Sequence, residues 1–175
     1  MIGYILLITA AVVMGAIVYN WMTTYVPLDI GSCPEDVSIF VKNYSCDQTG
    51  AKQLNITLKN NGKFDIGGYF IYASVDSSKD IATLNLSSYL HQGGIAVGSA
   101  ILFVPRSDNP LKPGDEFISV YNLTDWTQGG IKFIEIIPSR YQESNNRKEF
   151  VSCGNAKVKE VLTCTANQNE NQKYN

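Results

Sequence analysis

The first 28 residues of this chain form one long stretch without a charged side chain. Asp29 is the first acidic residue, and Lys42 is the first basic one. Between Ile2 and Trp21, apolar residues fall on every side of a helical wheel, so such a helix must be buried in protein or in lipid. A helix of about 28 residues is about 42 Å long, enough to cross a bilayer. Pro27 then disfavours further helix, so the sequence predicts a helix within residues 1–30.

Residues 31–175 have a different composition and suit one globular domain with its own core. The chain carries 14 basic and 16 acidic residues, a net charge of -2. This balance gives no electrostatic argument for a nucleic-acid partner. The domain is rich in Asn, Ser, Thr, Tyr and Gly, a composition typical of extracellular β-rich domains.

Short apolar or alternating segments, separated by turn residues, run through this second part. In Leu54–Lys59, for example, Leu54, Ile56 and Leu58 alternate with polar residues and are expected to face inward. Residues 84–90 are ambiguous between a short helix and an irregular crossing, residues 139–148 are expected to be a loop, and residues 165–175 a flexible tail. The predicted strands are Val37–Tyr44, Leu54–Lys59, Gly68–Val75, Ile95–Val104, Phe117–Tyr121, Ile131–Ile137, and a final hairpin of Phe150–Cys153 with Val158–Cys164.

No helix–strand alternation follows the N-terminal helix. The sequence therefore predicts an α+β chain, in which one long hydrophobic α-helix precedes an all-β antiparallel sandwich of the Ig-like kind.

The four cysteines are Cys33, Cys46, Cys153 and Cys164, which allow three disulfide connectivities. Local pairing, Cys33 with Cys46 and Cys153 with Cys164, is the simplest expectation because each pair brackets one short segment. Disulfides indicate an oxidising compartment. The alternative is a four-cysteine zinc site, which the absence of any CxxC spacing disfavours. We expect no metal and no cofactor.

The sequence offers no recognisable catalytic set. A Ser-His-Asp or Cys-His arrangement would have to use His91, the one histidine, which lies in the turn-like stretch LHQGG. No HExxH, GxSxG or Walker-type motif occurs, and the loop carboxylates lack EF-hand spacing. We therefore expect that the protein is not an enzyme.

Four N-x-S/T sequons occur, at Asn43, Asn55, Asn85 and Asn122. They are candidate N-glycosylation sites. Strand alternation places Asn55 on an outward face, where a glycan has room. The alternative is that Asn and Ser are simply common in this chain.

The arrangement resembles the archaeal branch of the type IV pilin superfamily, the archaeal pilins and archaellins. MIGYILLITAAVVMGAIVYNW resembles the N-terminal helix of that family, and LNITLKNNGKFDIGGYFI its opening β-hairpin. LKPGDE resembles a loop-to-strand element common there, and CGNAKVKEVLTC a terminal disulfide hairpin. Family precursors carry a short basic leader, which this sequence does not show. Bacterial type IV pilins also carry an acidic residue near the start of the helix, and its absence here matches the archaeal branch.

The resemblance implies an extracellular filament used for adhesion or motility. The subunit would wait in the membrane and then polymerise with copies of itself, its helix in the filament core and its β-domain outside, with N-glycans on the surface. We expect the helix to be retained, because it lacks the basic start and cleavage site of a secretory signal. The predicted polymerisation residues are Ile2, Gly3, Tyr4, Ile5, Leu6, Leu7, Ile8, Ala10, Ala11, Val12, Val13, Met14, Gly15, Ala16, Ile17, Val18 and Trp21.

The alternative is a single-span, membrane-anchored surface protein that binds a partner and never polymerises. Such an anchor usually carries Lys or Arg on its cytoplasmic flank, and the stretch before the helix shows neither. We therefore expect the filament subunit.

Overall fold

The computed structural model of the protein describes residues 2–25, 33–47, 52–105, 108–144 and 147–164. The chain divides into two compact units, Met1–Ile30 and Gly31–Asn175. The first unit contains one α-helix, α1 (Ile2–Tyr25). The second is built from antiparallel strands, so the predicted order of an apolar helix followed by a β-domain is confirmed. The predicted tail, residues 165–175, lies outside the described residues.

The described strands of the second unit form two antiparallel sheets. The smaller sheet has the order β1-β2-β8-β5, and the larger has the order β10-β9-β3-β7-β6, with β11 also paired to β9 and β4 to β3. Short 3-10 helices occupy Ser87–Tyr89 and Gly154–Ala156. The strands are β1 (Ile39–Asp47), β2 (Gln53–Asn60), β3 (Gly68–Ser74), β4 (Leu84–Asn85), β5 (Leu90–Gln92), β6 (Ile95–Val97), β7 (Ala100–Leu102), β8 (Glu116–Asn122), β9 (Phe133–Ser144), β10 (Arg147–Ser152) and β11 (Val158–Val161).

One hydrophobic core is shared by the two sheets. Leu54, Ile56 and Leu58 of β2 are buried, as their alternation predicts, and the residues between them face outward. The larger sheet contributes Ile71 and Ile134 to the same cluster. Each fully buried side chain of this size contributes about 1.5–3 kcal/mol relative to exposure in water, so the core is the main source of stability.

The predicted strand Ile95–Val104 is wrong, because the chain reverses in its middle. β6 and β7 pair with each other, with Val97 opposite Ala100. Gly98 lies in the turn between them with φ +59°, a left-handed conformation that glycine adopts without steric cost. The apolar run therefore makes a tight hairpin at the edge of the larger sheet.

The predicted loop at residues 139–148 is also wrong. β9 continues to Ser144 and pairs with β10, so that Tyr141 lies opposite Phe150 with ring centroids 4.8 Å apart. The side chains here are polar because this end of the hairpin is largely exposed. A polar edge hairpin lacks the apolar alternation by which strands are recognised.

The predicted final hairpin does not form either. β10 and β11 do not pair with each other, since both pair antiparallel with β9, β10 along Ser139–Ser144 and β11 along Phe133–Ile136. Two strands that are both antiparallel to a third run in the same direction. The 3-10 helix between them therefore carries the chain onward along β9 instead of reversing it.

Both disulfides connect distant parts of the sequence. Cys33 is bonded to Cys153 and Cys46 to Cys164, at sequence separations of 120 and 118 residues. The expected local pairing is therefore wrong, although all four cysteines are disulfide-bonded. The physical reason is that β1 lies beside the end of β11.

The contact between these two segments is visible at Tyr44. Its hydroxyl is 3.0 Å from the Thr163 Oγ1 and accepts a bond from the Thr163 backbone N–H at 3.1 Å. The fold thus brings the first and last strands together, and each cysteine meets a partner from the opposite end of the domain.

A buried cluster of hydroxyl groups joins the two sheets through the core. The Tyr69 hydroxyl, from β3, lies 2.5 Å from the Ser119 Oγ and 2.7 Å from the Tyr121 hydroxyl, both on β8. All three residues are buried. Burial raises the pKa of Tyr69 to about 12, and burial also raises the pKa of Tyr121 well above its usual value. The neutral hydroxyls therefore belong to the folded state.

We expect the domain to lose stability at alkaline pH because of these tyrosines. Unfolded tyrosine ionises near pH 10, so the unfolded state loses its protons first and is favoured as the pH rises from about 10 through about 12. Tyr69→Phe should cost about 1–3 kcal/mol at pH 7, because it removes bonds to buried partners, and should reduce the alkaline loss. Urea unfolding at stepped pH measures both effects. Tyr72→Phe, on the outer face of the same strand, is the control, and constant stability from pH 9 to 12 would contradict the prediction.

Candidate functional site: the apolar helix

The helix α1 is long enough and apolar enough over Gly3–Met22 to cross a membrane. Its 24 residues correspond to a length of about 36 Å at 1.5 Å per residue. Its first turn has no acidic residue and its last turn no basic residue. All of the residues that the sequence assigns to polymerisation, Ile2 to Trp21, lie on this helix.

None of the helix side chains from Gly3 to Met22 is buried. The exposed fraction of the large apolar side chains ranges from 47% at Ile8 to 74% at Tyr4. An apolar surface that surrounds a helix is not stable in water, because it needs a lipid or protein environment. This surface is therefore the candidate functional site of the described residues.

Thr9 meets its own hydrogen-bonding requirement within the helix. Its hydroxyl lies 3.1 Å from the Ile5 carbonyl oxygen and 3.0 Å from that of Leu6. A hydroxyl that donates back to its own helix can enter a lipid or protein interior without leaving an unpaired polar group. This polar side chain is thus compatible with burial of the whole surface.

Small residues on part of the helix surface allow a second helix to approach closely. Ala11 and Gly15 are four residues apart and therefore share one face. A Cβ atom added at Gly3 or at Gly15 would meet nothing within 4 Å. Positions of this kind let a second helix come near the backbone, as small residues do in membrane helix pairs.

The four sequon asparagines lie on the β-unit in different environments. Asn43 on β1 and Asn122 at the end of β8 are exposed, whereas Asn55 on β2 and Asn85 on β4 are half-buried. Asn55 does face outward, as its alternation predicts, but on a strand that lies between β1 and β8. Exposure of these sites depends on strand position and could not be read from the motif.

Several charged groups of the β-unit form ion pairs, some of them exposed and one with a buried carboxylate. Lys42 and Lys59 lie 2.6 Å and 3.5 Å from the Glu116 Oε1, and the hydrogen bond from Lys42 lowers the pKa of that carboxyl. Glu135 is buried and accepts bonds from the Lys157 Nζ and the Ala82 N–H, both at 3.0 Å. These groups hold strands and a loop together.

Within the residues that the structure describes, no group of three or more His, Cys, Asp or Glu could hold a metal ion. His91 is exposed on β5.

The outer face of the larger sheet carries an aromatic cluster that sequence reasoning missed. Phe150 lies 4.8 Å from Tyr141 and 6.2 Å from Phe70 between ring centroids. Ile137, opposite Phe70 in the register, joins this half-exposed cluster. The sequence shows Phe70, Tyr141 and Phe150 as separate aromatic residues, and their proximity becomes known only when β9 is paired with β3 and β10.

The comparisons with known proteins return no relative. Neither a protein-family model, nor a curated protein, nor a solved structure matches the chain.

Proposed function

We propose that the chain is a pilin-like structural subunit of an extracellular type IV-like filament. It polymerises with copies of itself through α1, with the β-domains on the outer surface, and the filament serves adhesion or motility. The observation that carries this proposal is the apolar surface of α1, which is exposed on every side.

The energetics of the helix fit a subunit that moves from lipid to a helical bundle. Each large apolar side chain removed from water contributes about 1.5–3 kcal/mol, so either environment is strongly preferred to water. Lipid and a protein bundle satisfy this preference almost equally, and their difference comes from packing. Ala11 and Gly15 supply a face on which such packing is close.

Two features support the proposed location. Long-range disulfides such as Cys33–Cys153 are typical of proteins outside the reducing cytoplasm. A helix able to cross a membrane fits a chain that is held in the membrane before assembly. We therefore place the β-unit on the outer side of the membrane, and afterwards on the filament surface.

We also assign the β-unit to the Ig-like sandwiches. The order β1-β2-β8-β5 corresponds to strands A, B, E and D of an immunoglobulin constant domain, and β10-β9-β3 corresponds to G, F and C. The β6–β7 hairpin is an addition to the free edge of β3. The strand order supports the assignment, and this chain departs from it at the β6–β7 hairpin, at β4 and at β11.

A second candidate is a membrane-anchored binding protein that does not polymerise. One observation favours it: an open surface pocket of about 320 Å³, lined by Lys52, Leu123, Trp126, Thr127, Gly129 and Gly130. The Trp126 ring is held edge-on against Tyr89 at 5.3 Å. In this alternative α1 is a plain anchor.

The substitution Gly15→Leu separates the two functions. A Cβ atom added at Gly15 meets nothing within 4 Å, and leucine favours helix over glycine by about 1 kcal/mol, so membrane insertion should be unchanged. In a helical bundle the same side chain should block close approach. We expect at least a tenfold loss of filaments sheared from cells, measured by electron microscopy, with the same amount of chain in the membrane fraction.

Met14→Leu, which keeps the side-chain volume at the neighbouring position, is the matched control and should assemble normally. The filament proposal would be contradicted if Gly15→Leu assembled normally. It would also be contradicted if the wild-type chain were recovered only as a detergent-soluble monomer.

A further inference from the structure

We propose that the outer face of the smaller sheet is a glycan-bearing face, with N-linked oligosaccharides on Asn43 and Asn122. Asn55 and Asn85 stay unmodified in the folded chain. This inference rests on the part of the proposed function that places the β-unit outside the cytoplasm, and it does not require polymerisation.

Strand register places three of the four sequons on one face. Directly opposed residues in antiparallel strands point to the same side of a sheet. Asn43 is opposite Thr57, and Asn122 is opposite Gln53. Thr57, Gln53 and Asn55 all occupy the outward positions of β2. Asn43, Asn55 and Asn122 therefore share the outer face of the smaller sheet.

The chemistry of transfer makes access to two side-chain groups decisive. The asparagine amide nitrogen attacks the anomeric carbon of a lipid phosphate-linked oligosaccharide. A bond forms from nitrogen to that carbon, the bond from the carbon to the phosphate oxygen breaks, and the amide gives up one proton as the lipid phosphate leaves. A membrane transferase must reach both that nitrogen and the hydroxyl of the Ser or Thr two residues later.

Asn43 offers both groups at the edge of the sheet, where the Ser45 hydroxyl oxygen also accepts a bond from the Asn55 side-chain nitrogen at 3.1 Å. Asn43 and Ser45 are both exposed, and β1 is an edge strand paired to β2 alone in its sheet. The register shifts between Val41 and Asn43, which locally loosens the pairing of β1 at the start of the sequon. A transferase can therefore approach Asn43 and Ser45 from the outer face of the smaller sheet.

Asn122 offers its nitrogen from a turn at the end of β8. Its side-chain oxygen accepts hydrogen bonds from the Thr124 backbone N–H at 2.9 Å and from the Thr124 hydroxyl at 2.5 Å. These bonds engage the Asn122 oxygen and the Thr124 hydroxyl, and they do not involve the nitrogen that reacts. Asn122 and Thr124 are both exposed. This sequon is held in a compact turn with its reacting atom accessible.

At the remaining two sequons, the fold buries or engages the groups that a transferase must reach. After Asn85, both Leu86 and Ser87 are buried, and the Ser87 hydroxyl donates to the Gly98 carbonyl oxygen at 2.8 Å. At Asn55 the nitrogen itself is engaged, because it donates to the Ser45 hydroxyl oxygen at 3.1 Å. Transfer at either site would require the local structure to open.

The proposed glycans surround an exposed apolar side chain. Ile118 on β8 is 61% exposed and lies opposite Thr57, which in turn lies opposite Asn43. It is therefore two strands, about 10 Å, from Asn43 and four residues, about 13 Å, from Asn122. An oligosaccharide of a few sugars at either site reaches across this distance and covers the side chain.

Glycopeptide mass spectrometry on chain purified from the surface and membranes of its own cells tests the proposal. We expect oligosaccharide on most copies at Asn43 and Asn122, and on fewer than one copy in ten at Asn55 and Asn85. Asn43→Gln and Asn122→Gln should each lower the intact mass by one oligosaccharide, and so should Ser45→Ala, which leaves Asn43 in place. Asn61→Gln, at an exposed asparagine outside any sequon, should change nothing.

Two results would overturn the proposal. One is equal occupancy at Asn85, which would mean that transfer precedes folding, and the other is an exported chain that is unmodified at Asn43 and Asn122. Failure of the filament proposal would give a different result from either of these two. A glycosylated membrane monomer would contradict polymerisation alone, and a filament of unmodified chains would contradict the glycan face alone.

Discussion

Replacing all four cysteines by alanine is expected to lower the free energy of unfolding by about 8 kcal/mol in the chain-entropy model. The first disulfide formed closes a loop of about 120 residues, which corresponds to about 5 kcal/mol. Once it is present, the second closes a ring of only about 24 residues, through Cys33–Cys46 and Cys153–Cys164, and contributes about 3.5 kcal/mol. The two effects are therefore coupled.

This coupling predicts an unusual pattern among the variants. Removing either disulfide alone should cost about 3.5 kcal/mol, because the remaining bond still closes the large loop. Removing both should cost about 1.5 kcal/mol more than the two single losses together. Guanidinium unfolding of the full chain in mild detergent, followed by near-UV circular dichroism, measures each cost.

Local pairing would give a different result. Two independent loops of about a dozen residues would each contribute about 3 kcal/mol, and the losses would add. Non-reducing peptide mapping decides the connectivity directly: we expect peptides that contain Cys33 linked to peptides that contain Cys153. A peptide in which Cys33 is bonded to Cys46 would contradict the structure.

Placing two lysines in the middle of α1, with Val13→Lys and Ile17→Lys, is expected to remove the chain from the membrane fraction. Each exchange of a central apolar residue for lysine costs about 3–4 kcal/mol on insertion scales, so the pair costs about 6–8 kcal/mol. The two positions are four residues apart on one helix face, which also places two charges in any bundle formed there. Membrane pelleting and filament yield measure the two losses.

The matched control, Val13→Leu with Ile17→Leu, keeps the face apolar and should pellet as the wild type does. A double lysine on the outer face of the smaller sheet, Thr57→Lys with Asn55→Lys, controls for added charge away from the helix. Normal membrane retention of the Val13 and Ile17 lysine variant would contradict the role of α1, and so would a mature wild-type chain that lacks the helix.

The helix and the central strands could be predicted because their signals are local. The uninterrupted apolar stretch of α1 predicts a helix that needs a lipid or protein environment. The alternation of apolar and polar residues in β2 identifies its buried residues one by one. The hairpin at Gly98 carried a usable signal, a glycine in the middle of an apolar run, which the length of the run obscured. The hairpin of β9 and β10 carried almost none, because its exposed end is polar.

The long-range features of the molecule could not be predicted from spacing. Cys33 meets Cys153 because β1 and the end of β11 are neighbours in space, and nothing within either segment specifies that contact. The same limit applies to the sequons. Asn85 and Asn122 share one motif, yet Leu86 and Ser87 after Asn85 are buried, whereas Thr124 after Asn122 is exposed.

The crossed disulfides also determine how the β-unit responds to a pulling force. From Cys33 to Cys164, the shortest covalent path passes through one disulfide and about a dozen residues, on either of two routes. Tension between α1 and the C-terminal segment is therefore carried by a path that extends to about 40 Å, whereas the open backbone between the same residues would extend to about 450 Å. Strands β2 to β10 lie outside this path, whereas β1 and β11 each lie on one of its two routes. The two disulfides close a short ring, so force applied at its two ends is carried by β1 and β11 and is not transmitted along β2 to β10.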